Sequence, residues 1–213
     1  MRIEAIGSAP ALNLLYSSGG EWQTYTVGDT ITLSNVGDYV AFKATSQGNA
    51  STSSTSSGSN RNQFEMSGSV ACSGSIQYLL TENADVPTTA LPDRCFYALF
   101  QNCTALTSAP DLPAPIMSTG CYSNLFEGCT SLTKAPFLPA TSRVANWCYQ
   151  YMYSYCSSLN EISLAYTGMF NPGSAPFQGW VDGVPATGTF YYNGSDTSRG
   201  TSAIPSGWTV VQF

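Results

Sequence analysis

The chain has 213 residues, 43% of them hydrophobic, enough to bury a core in one domain or in a large domain with a small one attached. Only 9% are charged, with 7 Lys+Arg against 13 Asp+Glu, so no surface neutralises a run of phosphates, which argues against nucleic acid and acidic membranes as partners. Histidine is absent and the carboxylates (among them Glu65, Glu82, Asp85, Asp93, Asp111 and Glu127) are scattered singly along the sequence, so the sequence predicts no catalytic residue, no metal site and no cofactor.

The first residues, MRIEAIGSAPALNLLYSS, lack the basic start and apolar core of a secretory signal, and no stretch is long and apolar enough for a membrane span. The expectation is a soluble chain that is neither exported by that route nor inserted in a membrane. Residues 11 to 45 read as short strands between turn signals (LNLLYSS, GGE, WQTYTVGDTITL, NVGDYVAFKATS), which predicts a small antiparallel unit. Residues 49 to 62, NASTSSTSSGSNRN, have linker composition; order there requires contacts from its own domain or from a neighbouring subunit. QFEMSGSVACSGSIQYLL (63 to 80) alternates like returning strands, closing the β unit and capping the segment C-terminal to it.

That segment is a repeat. CFYALFQNCTALTSAPDLPA (95 to 114) and CYSNLFEGCTSLTKAPFLPA (121 to 140) match at an offset of 26, and CYQYMYSYCSSLNEIS comes next at an offset of 27. Four columns result: Cys95, Cys121, Cys148; Leu99, Leu125, Met152; Cys103, Cys129, Cys156; and Leu106, Leu132, Leu159. Within a copy the first three columns fall at i, i+4 and i+8, which predicts a helix burying that face. On such a helix the two cysteines lie about 12 Å apart, too far for a bridge, and their spacing suits no zinc site. They read as buried free thiols acting as small hydrophobes. The second half of each copy, ended by prolines, predicts one short strand. A helix and a strand per repeat predict a leucine-rich-repeat solenoid, and TGTFYYNGSDTSRG with AIPSGWTVVQF predict two final strands around a polar loop that cap it.

The pattern C-Y-x-x-[LM]-F-x-x-C-T-S-L-T-x-A-P-x-L-P-A resembles the BspA-type leucine-rich repeats of surface proteins of gut bacteria and of structural proteins of their phages. The resemblance covers about 91 to 165. The third copy departs from it, as a terminal repeat does. The stretch YSSGGEWQTYTVGDTITLSNVGDYVAFKA and the ending G-T-F-Y with I-P-x-G-W-T-V are also similar to parts of those proteins. The expected fold class is α+β, with an N-terminal β unit and its Ser/Thr-rich loop (1–62), a capping β segment (63–90), the repeats (91–165) and a C-terminal β cap (166–213).

The columns sort the rings of CYQYMYSYC (148 to 156). Tyr149 and Tyr153 align with aromatic residues of the earlier copies and read as core. Trp147, Tyr151 and Tyr155 stand instead where the preceding copy has Gly120, Asn124 and Gly128, forming a second stripe on the flank of the same expected helix. They are the candidate binding residues, for a sugar or a protein partner. The other reading is that the C-terminal cap packs on them. Together with the resemblance this implies a non-enzymatic structural and recognition protein of a bacteriophage particle (head fibre, capsid decoration or tail appendage), in contact with other virion subunits or with itself as a homo-oligomer. The alternative is a bacterial cell-surface adhesin module binding a host glycan or protein.

Overall fold

Alternation of apolar and polar residues puts the N-terminal strands where the sequence predicts them. In the structure, a computed structural model describing residues 1–54, 59–83, 90–141, 144–166, 175–193 and 204–213, β1 (Arg2–Ile6) pairs antiparallel with β5 (Arg61–Glu65), setting buried Ile3 opposite buried Phe64. β2 (Leu14–Ser17) is the centre of a second antiparallel sheet between β3 (Gln23–Tyr25) and β4 (Ala41–Ala44). The Tyr25 hydroxyl joins the two sheets, accepting from the Ile3 amide at 2.8 Å and donating to the Asp29 carbonyl at 2.7 Å. Edge-to-face contacts run from Tyr25 to Phe42 (5.2 Å) and from Phe42 to Phe64 (5.8 Å), and Phe64 stacks on Phe100 of the first repeat at 4.9 Å.

The Ser/Thr-rich segment is held by its own chain. Ser51, Thr52 and Ser53 are buried, and the Cys95 carbonyl accepts from the Thr52 amide (2.9 Å), the Thr52 hydroxyl (2.7 Å) and the Ser51 hydroxyl (3.2 Å). Residues 55–58 of that segment lie outside the described residues.

The expected helices do not form. Among the described residues the elements are strands and two 3₁₀ turns, Ile76–Leu79 and Ala175–Phe177, so the α+β class with a leucine-rich-repeat solenoid is overturned. Each repeat is instead a run of reverse turns with a left-handed residue every fourth position: Arg94, Ala98 and Asn102 (φ 54°, 53°, 60°), then Gly120, Asn124 and Gly128 (64°, 58°, 72°), then Trp147, Tyr151 and Tyr155 (58°, 53°, 60°). An α-helix tolerates no such residue. The amides alternate between two uses. Those of Tyr97, Leu99, Gln101 and Cys103 close turns onto the carbonyl three residues back, whereas those of Phe96, Ala98, Phe100 and Asn102 reach the next copy at Cys121, Ser123, Leu125 and Glu127, 2.7 to 3.0 Å away. Hydrogen bonds that a helix keeps to itself are thus directed sideways, rung to rung, and every amide in the run still finds an acceptor.

The rungs stack their rings in two columns. One runs Phe96, Tyr122, Tyr149, Phe177; the other Phe64, Phe100, Phe126, Tyr153, Trp180, with successive centroids 4.9 to 6.3 Å apart. Phe177 and Trp180 belong to a fourth rung, whose carbonyls Pro176, Gln178, Trp180 and Asp182 accept from Tyr149, Tyr151, Tyr153 and Tyr155. The second halves of the copies supply strands. β6 (Val70–Ala71) pairs parallel with β7 (Leu106–Ser108), and β8 (Leu138–Thr141), β9 (Glu161–Tyr166), β10 (Thr187–Tyr192) and β11 (Gly207–Gln212) form a parallel sheet in the order β11-β10-β9-β8. Its inner face carries Ile162, Leu164, Phe190, Tyr192 and Trp208, all buried. The polar loop expected between the last two strands falls outside the described residues.

At Gly128 one rung leans on the side chain of the preceding one. A Cβ built on Gly128, at φ 72°, runs into the Asn102 amide oxygen. Gly128→Ala is expected to lower stability by about 1–2 kcal/mol through the left-handed backbone alone, read as a lower denaturant midpoint. An unchanged midpoint contradicts the turn geometry.

Candidate recognition surface

Trp147, Tyr151 and Tyr155 sit on turns, at the left-handed positions, rather than on the flank of a helix. Glycine and asparagine suit that backbone and bulky rings do not, so three aromatic residues here carry a conformational cost of roughly 1 kcal/mol each or more. Two of them recover part of it by packing on the fourth rung. The Tyr151 ring covers the Cα of Gly179, and the Tyr155 ring lies over Gly183, whose built Cβ is 2.8 Å from Tyr155 Cδ1. Both glycines are themselves left-handed, at φ 63° and 73°, which leaves the space those rings fill.

The exposures divide the three. Tyr151 is half-buried against the fourth rung, whereas Trp147 keeps 42% of its surface exposed and Tyr155 63%. Beside the row Gln150 Nε2 donates to Gln178 Oε1 at 2.9 Å, and the exposed Asp182 carboxylate lies next to Gly179 and the Tyr151 ring. Tyr149 and Tyr153 are fully buried in the ring columns, as their alignment predicts.

The cysteines are free thiols and contribute no chemistry to this surface. In one column each thiol donates to the carbonyl of the preceding rung: Cys103 to Phe64 (3.0 Å), Cys129 to Phe100 (3.1 Å), Cys156 to Phe126 (3.0 Å). In the other, Cys121 and Cys148 sulfurs touch at 3.2 Å and Cys148 is 3.3 Å from the Met117 sulfur. Loss of hydration pushes the Cys103 and Cys156 thiols up to about 12 and raises Cys95, Cys121 and Cys129 well above the ordinary thiol value. Such thiols are poor nucleophiles and poor metal ligands. Among the described residues no three His, Cys, Asp or Glu side chains are grouped to hold a metal ion.

In a second exposed apolar set a single residue carries the kind of column signal that marked the first. On the outer face of the parallel sheet the register aligns Ser163, Tyr191 and Val211, with Phe137 just before β8 and Phe213 just after β11. The Phe137 and Phe213 rings lie 6.4 Å apart and both are exposed. Only Phe137, standing where the preceding copy has Asp111, is a column exchange of the kind that singled out Trp147. No family model, curated protein or solved structure matches the chain.

Proposed function

We propose that this chain is a non-enzymatic structural and recognition protein of a bacteriophage particle, as a homo-oligomer or as one subunit among others, with the row Trp147, Tyr151, Tyr155 as its contact surface. The observation that carries the reading is an exchange against local backbone preference. Where the second repeat has glycine or asparagine on left-handed backbone, the third has three rings, two of them exposed. Strained residues persist where something other than folding needs them, and exposed rings on a rigid frame are the usual anchors of an interface. The particle setting rests on the repeat motif, which resembles phage structural proteins. Attachment falls to the N-terminal β unit without Ser51–Ser53, which are buried against the first repeat.

The double change Trp147→Gly with Tyr155→Gly tests this. The thermal midpoint should stay level or rise, because the left-handed cost disappears, while adsorption of particles to host cells falls at least tenfold. A lower midpoint with adsorption intact assigns the rings to the cap and overturns the proposed surface. Antibody to the chain should label purified particles; label confined to the bacterial envelope moves the same surface to a cell-surface adhesin, and label on neither rejects both settings.

A further inference from the structure

A cleft of about 460 Å³ lies between the N-terminal unit and the first repeat, far in sequence from the aromatic row. Its volume falls within the roughly 300–1,000 Å³ typical of small-molecule sites, which often form where two structural units meet. Phe42, Phe64 and Phe100 line it, so the ring chain that welds the two units also walls the cleft. At the rim stand two tyrosines from different elements: Tyr39, 60% exposed, from the loop before β4, and Tyr78, 39% exposed, from the 3₁₀ turn Ile76–Leu79.

Of the lining residues Asp38, which is exposed, alone has a charged side chain. Its Oδ2 accepts from the Asn35 and Ser34 amides, each at 2.8 Å, and those bonds hold the carboxyl below the usual carboxylate range, ionised at neutral pH. Its other oxygen has no hydrogen-bond partner among the described residues. The nearest positive charge in the lining, the Met1 amine, is tied to the Ile31 carbonyl at 2.8 Å. The rim adds the exposed hydroxyl residues Ser69 and Ser73.

This is a combination of ring faces, hydroxyls and one unpaired acceptor, with no free cation in the lining. An anionic ligand meets like charge here, and a purely aliphatic one leaves the Asp38 oxygen and the hydroxyls unused. A pyranose satisfies all of them: its C–H face lies on a tyrosine ring, its hydroxyls donate to the carboxylate and exchange bonds with the serines. We infer that the cleft between Tyr39 and Tyr78 is a binding site for a neutral mono- or disaccharide, separate from the Trp147 row and independent of the function proposed for it.

The test uses the intact chain with glucose, galactose, mannose, N-acetylglucosamine and lactose at millimolar concentration, read by saturation-transfer NMR. At least one sugar should receive saturation. Tyr39→Ala and Tyr78→Ala, both at exposed positions where folding is little affected, should each weaken that binding about tenfold, with near-UV circular dichroism unchanged; Trp147→Gly should leave it as it was. Silence from every sugar overturns the site. So does transfer that survives both tyrosine changes, and so does transfer lost on Trp147→Gly alone, which would put the sugar on the aromatic row instead.

Discussion

Raising the pH from 8 to about 10.5 should unfold this protein. Five thiols of the repeat columns, Cys95, Cys103, Cys121, Cys129 and Cys156, keep their protons to higher pH in the folded chain than in the unfolded one, because burial disfavours the thiolate. The direction comes from the protons bound. Below the ordinary thiol value both states hold them and pH has no effect; above it the unfolded chain releases protons that the folded chain retains, so stability falls as pH rises, until the folded thiols themselves ionise near 12 or beyond. Each thiol then costs about 1.4 kcal/mol per pH unit. By about pH 10.5 that is roughly 2 kcal/mol per thiol and 10 kcal/mol for five, comparable to the whole 5–15 kcal/mol of a typical domain. Buried Tyr122, Tyr149 and Tyr153, raised above the ordinary phenol value first by desolvation, steepen the loss. Near-UV circular dichroism should collapse, and the buried Tyr122, Tyr149 and Tyr153 should ionise together with that loss. Persistence of the folded signal beyond about pH 12 would refute the buried thiol columns. Cys129→Ala should make the loss of stability with pH shallower, since one linked group is gone.

The columns of the repeat are legible because two copies agree over twenty residues, and each column has one environment. Cys95, Cys121 and Cys148, like Leu99, Leu125 and Met152, are buried as a set. The local conformation is not legible from the same columns. A spacing of i, i+4 and i+8 is shared by a helix and by a chain of four-residue turns, and apolarity alone does not separate them. Two features do so in principle. A helix of 3.6 residues per turn also brings i+3 and i+7 toward the buried face, yet those positions hold Asn124 and Gly128 in the second copy. Gly120, Asn124 and Gly128 moreover recur every four residues, the residue types that left-handed backbone selects. The aromatic row is visible as an exchange against that column, but its cost is not, because a ring on a helix flank carries none. The fourth rung is harder to see. Pro176 and Val184 replace the cysteines, and only Gly179 and Gly183, again four apart, mark it. Phe137 and Phe213 come together through strand register, which one sequence does not display.

Phe126→Ala should be the most damaging single substitution in the stack. Its ring lies between Phe100 at 5.6 Å and Tyr153 at 5.9 Å, nearly parallel to both, and is fully buried. Its backbone is committed as well: the amide donates to Met152 at 3.0 Å and the carbonyl accepts the Cys156 thiol at 3.0 Å. The rungs are therefore tied above and below the cavity, so neither side can collapse into it, and the cost belongs at the upper part of the roughly 3–5 kcal/mol range for removing a buried ring, including about 0.5–1.5 kcal/mol for each lost ring pair. Tyr153→Phe is the contrast in the same column. The Tyr153 hydroxyl is buried with no hydrogen-bond partner among the described residues, so removing it relieves a desolvation cost and should leave stability level or higher. Denaturant titration followed through the buried Trp180, at the far end of the column, reads both. Because energy in a stack of repeats passes between nearest neighbours, the tryptophan and the tyrosine-rich N-terminal sheet should lose structure together in Phe126→Ala. A cost below about 1 kcal/mol, or a tryptophan transition that ignores the substitution, would mean that the rungs are not packed as one column.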